Sequence, residues 1–267
     1  MSLLRPMVWV LLGIGLIYAA LCALAWGFQE RLVWFPGPPP AGDPPRAENV
    51  ALTTSDGVAL HGWFWPGTSG RAVLVSHGNG GTVADVVVLA DAFGGMGHAV
   101  LLYDYRGYGR SEGSVSEEGT YRDAEAAFDW LQAKGFPPSA ITAYGHSLGG
   151  AVTIALATRR PVQALIVENT FSSLADIGSH AYPLLPVRWL SRIHYDSVAR
   201  APAITAPVLV LHSLEDELIP IAMGRKLFDA FAGPKLFQET AGGHNDGGFL
   251  LNGQTRAAVT AFIGDDG

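Results

Sequence analysis

One short turn limits what this chain can fold into. The apolar stretch Ile141-Thr142-Ala143-Tyr144 runs into Gly145-His146-Ser147-Leu148-Gly149, and small residues follow over 151–158. A strand that enters a helix through Gly-x-Ser-x-Gly must reverse so sharply that the serine hydroxyl stands exposed at the sheet edge. The positions two before and two after the serine are then crowded, which is a reason for Gly145 and Gly149 to lack a Cβ. Glycine is common here, with 33 in 267 residues, so the pentapeptide alone carries little weight. Its flanks carry more, because strand before and small-residue helix after are the context the turn requires.

The rest of the chain supports a parallel α/β arrangement. Residues 50–54 and 58–65, joined through Ser55-Asp56-Gly57, predict a hairpin with an Asp-Gly turn. Apolar strands are predicted at 72–76, 99–103, 164–167 and 207–212, with a shorter one at 236–239. Between them fall helices within 82–96, at 117–134, after the turn, near 222–231, and at 254–263. Buried apolar strands alternating with helices imply a mostly parallel sheet covered on both faces. The length suits one such domain with a sizeable core. The alternation breaks over residues 170–201, where Phe171, Tyr182, Leu184, Leu185 and Trp189 sit among prolines in an irregular, apolar insertion, expected to be a short lid.

The N-terminus has its own character. Residues 7–28 carry no charge, and roughly 20 apolar residues cross a bilayer as a helix. Trp9, Tyr18, Trp26, Trp34 and Phe35 lie in or just after the run, as interfacial aromatics do. Ala23-Leu24-Ala25 offers a signal-peptide cleavage site, but a signal core runs only about 7–15 residues. An uncleaved anchor over residues 1–31 is the favoured expectation, with secretion after cleavage as the alternative. Arg5 before the span and Arg31 beside Glu30 after it give a slight bias toward a cytoplasmic N-terminus and an exported body. Residues 32–47, rich in proline, read as a semi-rigid spacer without regular structure, and 48–267 as the folded domain.

Composition excludes some classes. Charged residues make up 15%, against roughly 25% in an ordinary soluble domain. A net charge of −7 leaves no basic stripe for phosphates, so no nucleic-acid partner is expected. The one cysteine, Cys22, excludes an internal disulfide and a thiol nucleophile in the body. No zinc-type cluster, His-Glu-x-x-His or phosphate loop occurs, and no metal or organic cofactor is expected.

A serine hydroxyl needs a base, and in the fold that carries this turn the acid and then the base follow the nucleophile in the chain. Of eight histidines only His244 lies beyond the next-to-last strand, in Gly242-Gly243-His244-Asn245-Asp246. Asp216, after the strand at 207–212, is the favoured acid; Glu215 beside it and Glu168 at the end of the preceding strand are alternatives. The acid would hold the imidazole in the right tautomer and stabilise the imidazolium. Backbone N–H groups for a developing oxyanion are expected from Leu148 and from the loop His77-Gly78-Asn79-Gly80-Gly81, with Asn79 ahead of Gly80. His77 and His146 are expected to brace these loops. Asp104-Tyr105-Arg106-Gly107-Tyr108-Gly109 is expected to be structural, with Arg106 bonding nearby carbonyls.

Together His77-Gly78-Asn79, the 104–109 loop, the 145–149 turn, Asp216 and Gly243-His244-Asn245-Asp246 resemble the α/β-hydrolase superfamily. More narrowly they resemble its membrane-anchored serine hydrolases, which share an N-terminal span followed by an aromatic-then-proline segment, here Leu32-Val33-Trp34-Phe35-Pro36. The resemblance covers about residues 32–263. It implies Ser147, Asp216 and His244 as the triad and Asn79 and Leu148 as oxyanion donors. It further implies hydrolysis of carboxylic esters or thioesters, of small-molecule or lipid-like substrates near a membrane. A prolyl-oligopeptidase-like peptidase and a non-catalytic membrane-tethered scaffold are the other readings. No substrate-binding residue can be named from sequence.

Overall fold

The computed structural model describes residues 4–246, 250 and 253–264. Its first element is one long helix, α1 (Leu4–Val33), of which Met7–Val33 is apolar and long enough to cross a membrane. The Gly247 end of the histidine loop and the first and last three residues lie outside the described part.

The body is one eight-stranded sheet. An antiparallel hairpin, β2 (Glu48–Thr53) and β3 (Ala59–Trp65), pairs onto β6 (Ala99–Tyr103). β6 lies parallel to β4 (Ala72–Ser76), and β4 to β7 (Ile141–His146). β8 (Ala164–Glu168), β9 (Val208–Ser213) and β10 (Lys235–Thr240) continue the parallel series. The order is β10-β9-β8-β7-β4-β6-β3-β2. After β4 the chain first adds β6 on one side and then returns to add β7 on the other. Such a reversal opens a crevice beyond the carboxyl ends of the strands.

Alternation in the strands divides the core into two layers. In β4, Leu74 joins one apolar cluster while Val73 and Val75 join the other. The first layer is packed by α3 (Glu117–Ala133) and α4 (Leu148–Arg159), the second by α2 (Val87–Gly94) and α9 (Gly253–Ile263). Helix α3 starts where Ser116 accepts the Gly119 N–H, with Glu117 and Glu118 in its first turn favoured by the helix dipole. It buries Tyr121, Ala124, Phe128 and Leu131, at three- and four-residue spacing, each large side chain contributing about 1.5–3 kcal/mol. Gly135, at φ 107°, ends it. The helix expected within 82–96 begins as a tight 3-10 turn at Val83–Val86, because Thr82 and Asp85 cap each other's backbone.

Two segments are more ordered than the sequence suggests. The insertion carries three short helices, α5 (Leu174–Ala181), α6 (Val187–Leu190) and α7 (Ser197–Arg200). Ser173 and Asp196 cap the first and third, and Pro183 and Pro186 keep the pieces short. The proline-rich segment after α1 is not a free spacer either. Phe35–Pro36 form a strand, β1, parallel to β5 (Gly80–Gly81), and Gly37 N–H donates to the Gly81 carbonyl at 2.9 Å. Trp34 is buried, its indole N–H 3.3 Å from the Tyr195 hydroxyl. Proline-rich composition hid this, since the pairing partner lies 45 residues away along the chain. α8 (Ile221–Ala230) completes the body between β9 and β10.

Candidate active site

Ser147 sits between β7 and α4 at φ 54° and ψ −120°, a strained conformation for a residue with a side chain. Three bonds hold it there. Its N–H donates to the Glu168 carbonyl at 2.9 Å, its carbonyl accepts the Thr170 hydroxyl at 2.7 Å, and the Gly150 N–H returns to the same carbonyl at 3.0 Å. The flanking glycines are required by contact. A Cβ on Gly145 would lie 2.2 Å from the Gly149 carbonyl oxygen, and one on Gly149 would lie 2.0 Å from that of Ser76.

His244 reaches Ser147 from the loop after β10. Its Nε2 is 3.0 Å from the Ser147 hydroxyl and its Nδ1 is 2.8 Å from Asp216 Oδ2. With Nδ1 protonated, the ring donates to Asp216 and presents a lone pair to the serine proton. Asp216 has its other oxygen, Oδ1, occupied by the N–H groups of Leu218 and Ile219 at 2.9 and 2.7 Å. Burial pushes its pKa up, but the His244 bond and these two N–H donors outweigh burial and hold the carboxyl below the ordinary carboxylate range. The alternative acids are engaged elsewhere: Glu215 accepts the Gly242 N–H at 2.8 Å, and Glu168 accepts the Tyr144 hydroxyl.

The histidine loop is fixed by contacts that the sequence did not reveal. The His244 carbonyl accepts from His146 Nε2 at 2.9 Å and from Asn169 Nδ2 at 3.2 Å. The His244 N–H donates to Glu217 at 3.0 Å, and the Ser213 hydroxyl bonds the Gly242 carbonyl. Asn169, at φ 47°, also accepts the Ser213 N–H at 2.9 Å, so one amide ties the acid loop to the base loop. Its only signal in the sequence is its place just past the end of β8. Burial, reinforced by the neighbouring His244, lowers the His146 pKa to about 4, so His146 is a neutral donor. His77 and His212 are pushed down by burial as well.

Asn79 and Leu148 line the cavity beside Ser147, and Leu148 is the first residue of α4, where unpaired helical N–H groups and the dipole favour negative charge. The Tyr108 hydroxyl donates to the Asn79 carbonyl at 2.8 Å and lies 3.2 Å from its side-chain oxygen. Behind the loop, Tyr105 donates to the His77 carbonyl at 2.8 Å. Arg106 differs from expectation. It bonds carboxylates, Asp123 on α3 at 2.9 Å and Asp56 in the hairpin turn at 2.9 and 3.0 Å, rather than carbonyls. Those partners are set by tertiary packing, which local sequence does not display.

Ser147 lines a cavity of about 1020 Å³, slightly beyond the roughly 300–1,000 Å³ of small-molecule sites. Its walls are largely apolar: Leu32 and Phe35 from the end of α1 and β1, Phe171, Ile177, Leu185 and Leu190 from the insertion. Ser147, His244 and Asn79 are among the polar residues that line it. Among the described residues no cluster of three His, Cys, Asp or Glu is placed to hold a metal ion.

Known proteins share this architecture. The family described as serine aminopeptidase, S33, matches residues 67–197. An uncharacterized protein of Mycobacterium tuberculosis is 41% identical over 94% of this chain and 92% of its own length. The alpha/beta hydrolase domain-containing protein WAV2 of Arabidopsis thaliana is 34% identical over 78% of this chain and 77% of its own. An uncharacterized membrane protein of Saccharomyces cerevisiae is 32% identical over 84% and 85%. Among solved structures, an esterase of Pyrococcus furiosus superposes with a TM-score of 0.70 at 18% identity, covering 86% of this chain and 96% of that one. An alpha-beta hydrolase of Vibrio vulnificus gives 0.71 at 24% identity, covering 81% of each. By sheet order, serine turn and these relatives, the chain belongs to the α/β-hydrolase superfamily.

Proposed function

We propose that this protein is a membrane-anchored serine hydrolase that cleaves carboxylic esters or thioesters of acyl-chain substrates through an acyl-enzyme on Ser147. The observation that carries the reading is the hydrogen-bonded line Asp216–His244–Ser147, with spans of 2.8 and 3.0 Å. In the first step His244 Nε2 takes the Ser147 proton as Oγ attacks the substrate carbonyl. Asp216 stabilises the imidazolium and keeps its own charge. The negative oxygen of the tetrahedral intermediate receives the N–H groups of Leu148 and Asn79; in such sites one donor lowers the barrier by about 3–4 kcal/mol. The imidazolium then protonates the leaving alkoxide or thiolate, the C–O or C–S bond breaks, and the acyl group stays on Oγ. Water, deprotonated by the same histidine, releases the acid and restores the serine.

An apolar cavity joined to the serine favours acyl chains, and the esterase neighbours are consistent with that chemistry. An uncleaved anchor is supported by Tyr18, whose hydroxyl donates to the Leu184 carbonyl and which cleavage after Ala25 would remove. With the slight charge bias, this reading puts the body on the exported side of the membrane. The peptidase reading has one observation in its favour, the aminopeptidase description of the matching family. Purified full-length protein tests both. Ser147→Ala should abolish p-nitrophenyl ester turnover and fluorophosphonate labelling, while wild type should leave aminoacyl p-nitroanilides uncut. Labelling that survives in Ser147→Ala would end the serine proposal, and faster amide than ester turnover would replace the esterase with a peptidase.

A further inference from the structure

The anchor helix and the insertion touch at two heights, and a helix rising about 1.5 Å per residue serves as a ruler between them. The upper contact is polar. Gln29 Oε1 accepts the Arg192 N–H at 2.7 Å, and the Arg192 guanidinium lies 4.5 Å over the Trp26 ring while donating to the Trp26 carbonyl. Glu30 and Arg31 follow immediately, so this level belongs at the membrane boundary. The lower contact is the Tyr18 hydroxyl on the Leu184 carbonyl at 2.8 Å. Tyr18 precedes Gln29 by 11 residues, about 16 Å along the axis. Half of a bilayer's hydrocarbon core is about 15 Å. If the upper contact is at the boundary, the insertion's tip is a full leaflet deep.

The tip is built for such a medium. Residues 181–187 carry no charge. Leu184 is 84% exposed and Trp189 91% exposed, a costly arrangement in water and a favourable one in lipid. Hydrocarbon also demands that backbone donors be satisfied internally. The N–H groups of Tyr182, Leu185, Val187, Trp189, Leu190 and Ser191 bond carbonyls within the tip and its adjoining helix, Pro183 and Pro186 have none to satisfy, and Leu184 N–H makes no such bond. The one charge within residues 182–190, Arg188, is paired: it lies 2.5 Å from Asp176, which also binds Lys226 on α8.

We propose that residues 182–190 form a second membrane-inserted element beside α1, and that the cavity between them admits the acyl chain of a bilayer lipid sideways from the leaflet. Insertion stands on the depth and exposure of the tip. The entry route also rests on the serine-hydrolase reading, because Leu32, Leu185 and Leu190 line the same cavity as Ser147.

Full-length protein in phosphatidylcholine vesicles tests both halves. An environment-sensitive fluorophore is placed through Leu184→Cys in a Cys22→Ser background, with Gln132→Cys on α3 as control. Lipids carrying a quencher deep on the acyl chain should quench the label at 184 and spare that at 132, with aqueous iodide doing the reverse. Iodide quenching at 184 without lipid quenching overturns insertion and leaves the tip to a protein partner. For entry, Leu184→Asp combined with Trp189→Asp should lower turnover of a long-chain ester held in vesicles by about tenfold, with a short soluble ester kept within about twofold. Equal losses on both esters, or none on either, overturn lateral entry. Wild type that cleaves neither ester would defeat the hydrolase reading and the route together, while the quenching result would still decide insertion.

Discussion

At the scale of single residues, the hydroxyl proposed to react depends on side chains that do not touch it. Asn169 and His146 both donate to the His244 carbonyl, and Asn169 also accepts from Ser213. Asn169→Ala should therefore lower kcat more than it raises KM, and destabilise the fold by about 1–3 kcal/mol by leaving the Ser213 N–H buried and unpaired. Steady-state kinetics with a urea melt separate the two effects, and unchanged kcat would remove Asn169 from the positioning role. Asp216→Asn should cost more, about three to four orders of magnitude in kcat, because the amide favours the wrong imidazole tautomer. Stopped-time assays on a short ester measure it, and a loss under tenfold would return the role to Glu215 or Glu168. That Ser147, Asp216 and His244 come together was legible in the sequence, because each follows a strand in the order that the proposed nucleophile, acid and base require. Asn169 was not, since its partners come from loops that are distant in the chain and adjacent only across the sheet.

At the scale of elements, the segment that follows α1 and the loop proposed to bind the oxyanion are one structure. β1 pairs with β5 directly after Asn79, and Gly109 N–H donates to the Gly37 carbonyl at 3.3 Å. A chain starting at Glu48 keeps the eight-stranded sheet but loses the strand against the loop expected to bind the oxyanion. It should remain folded by circular dichroism and hydrolyse a soluble ester with a reduced kcat. Full activity in that fragment would show that β1 does not position the loop. Trp34→Ala should destabilise the intact protein by roughly 3–5 kcal/mol, read as a fall in urea midpoint, because it empties a buried indole site. Strands and helices of the body were readable within a few residues, since apolar runs of five or six and small-residue helices have few alternatives. β1 and the helices of the insertion were masked by proline, whose local preferences said nothing of the neighbours they pack on.

For the whole molecule, buried histidines tie stability to pH. His77, His146 and His212 all have pKa values lowered by burial, His146 from 6.5 to about 4. The unfolded chain takes up these protons first, so stability is full above pH 6.5 and declines as pH falls toward 4. The slope approaches about 1.4 kcal/mol per pH unit for each proton taken up. Asp216, held below the ordinary carboxylate range, adds a further loss at still lower pH. Melting temperature in detergent across pH 7 to 4 should fall steadily, and His146→Gln should flatten part of the fall; a flat wild-type profile would contradict the burial of these rings. The central claim is that one serine among the chain's hydroxyls is made nucleophilic by an imidazole 3.0 Å away. Fluorophosphonate treatment followed by peptide mass mapping tests it directly. The account predicts a single adduct on Ser147 that His244→Ala suppresses, and an adduct on any other residue, or one that persists without the imidazole, would contradict it.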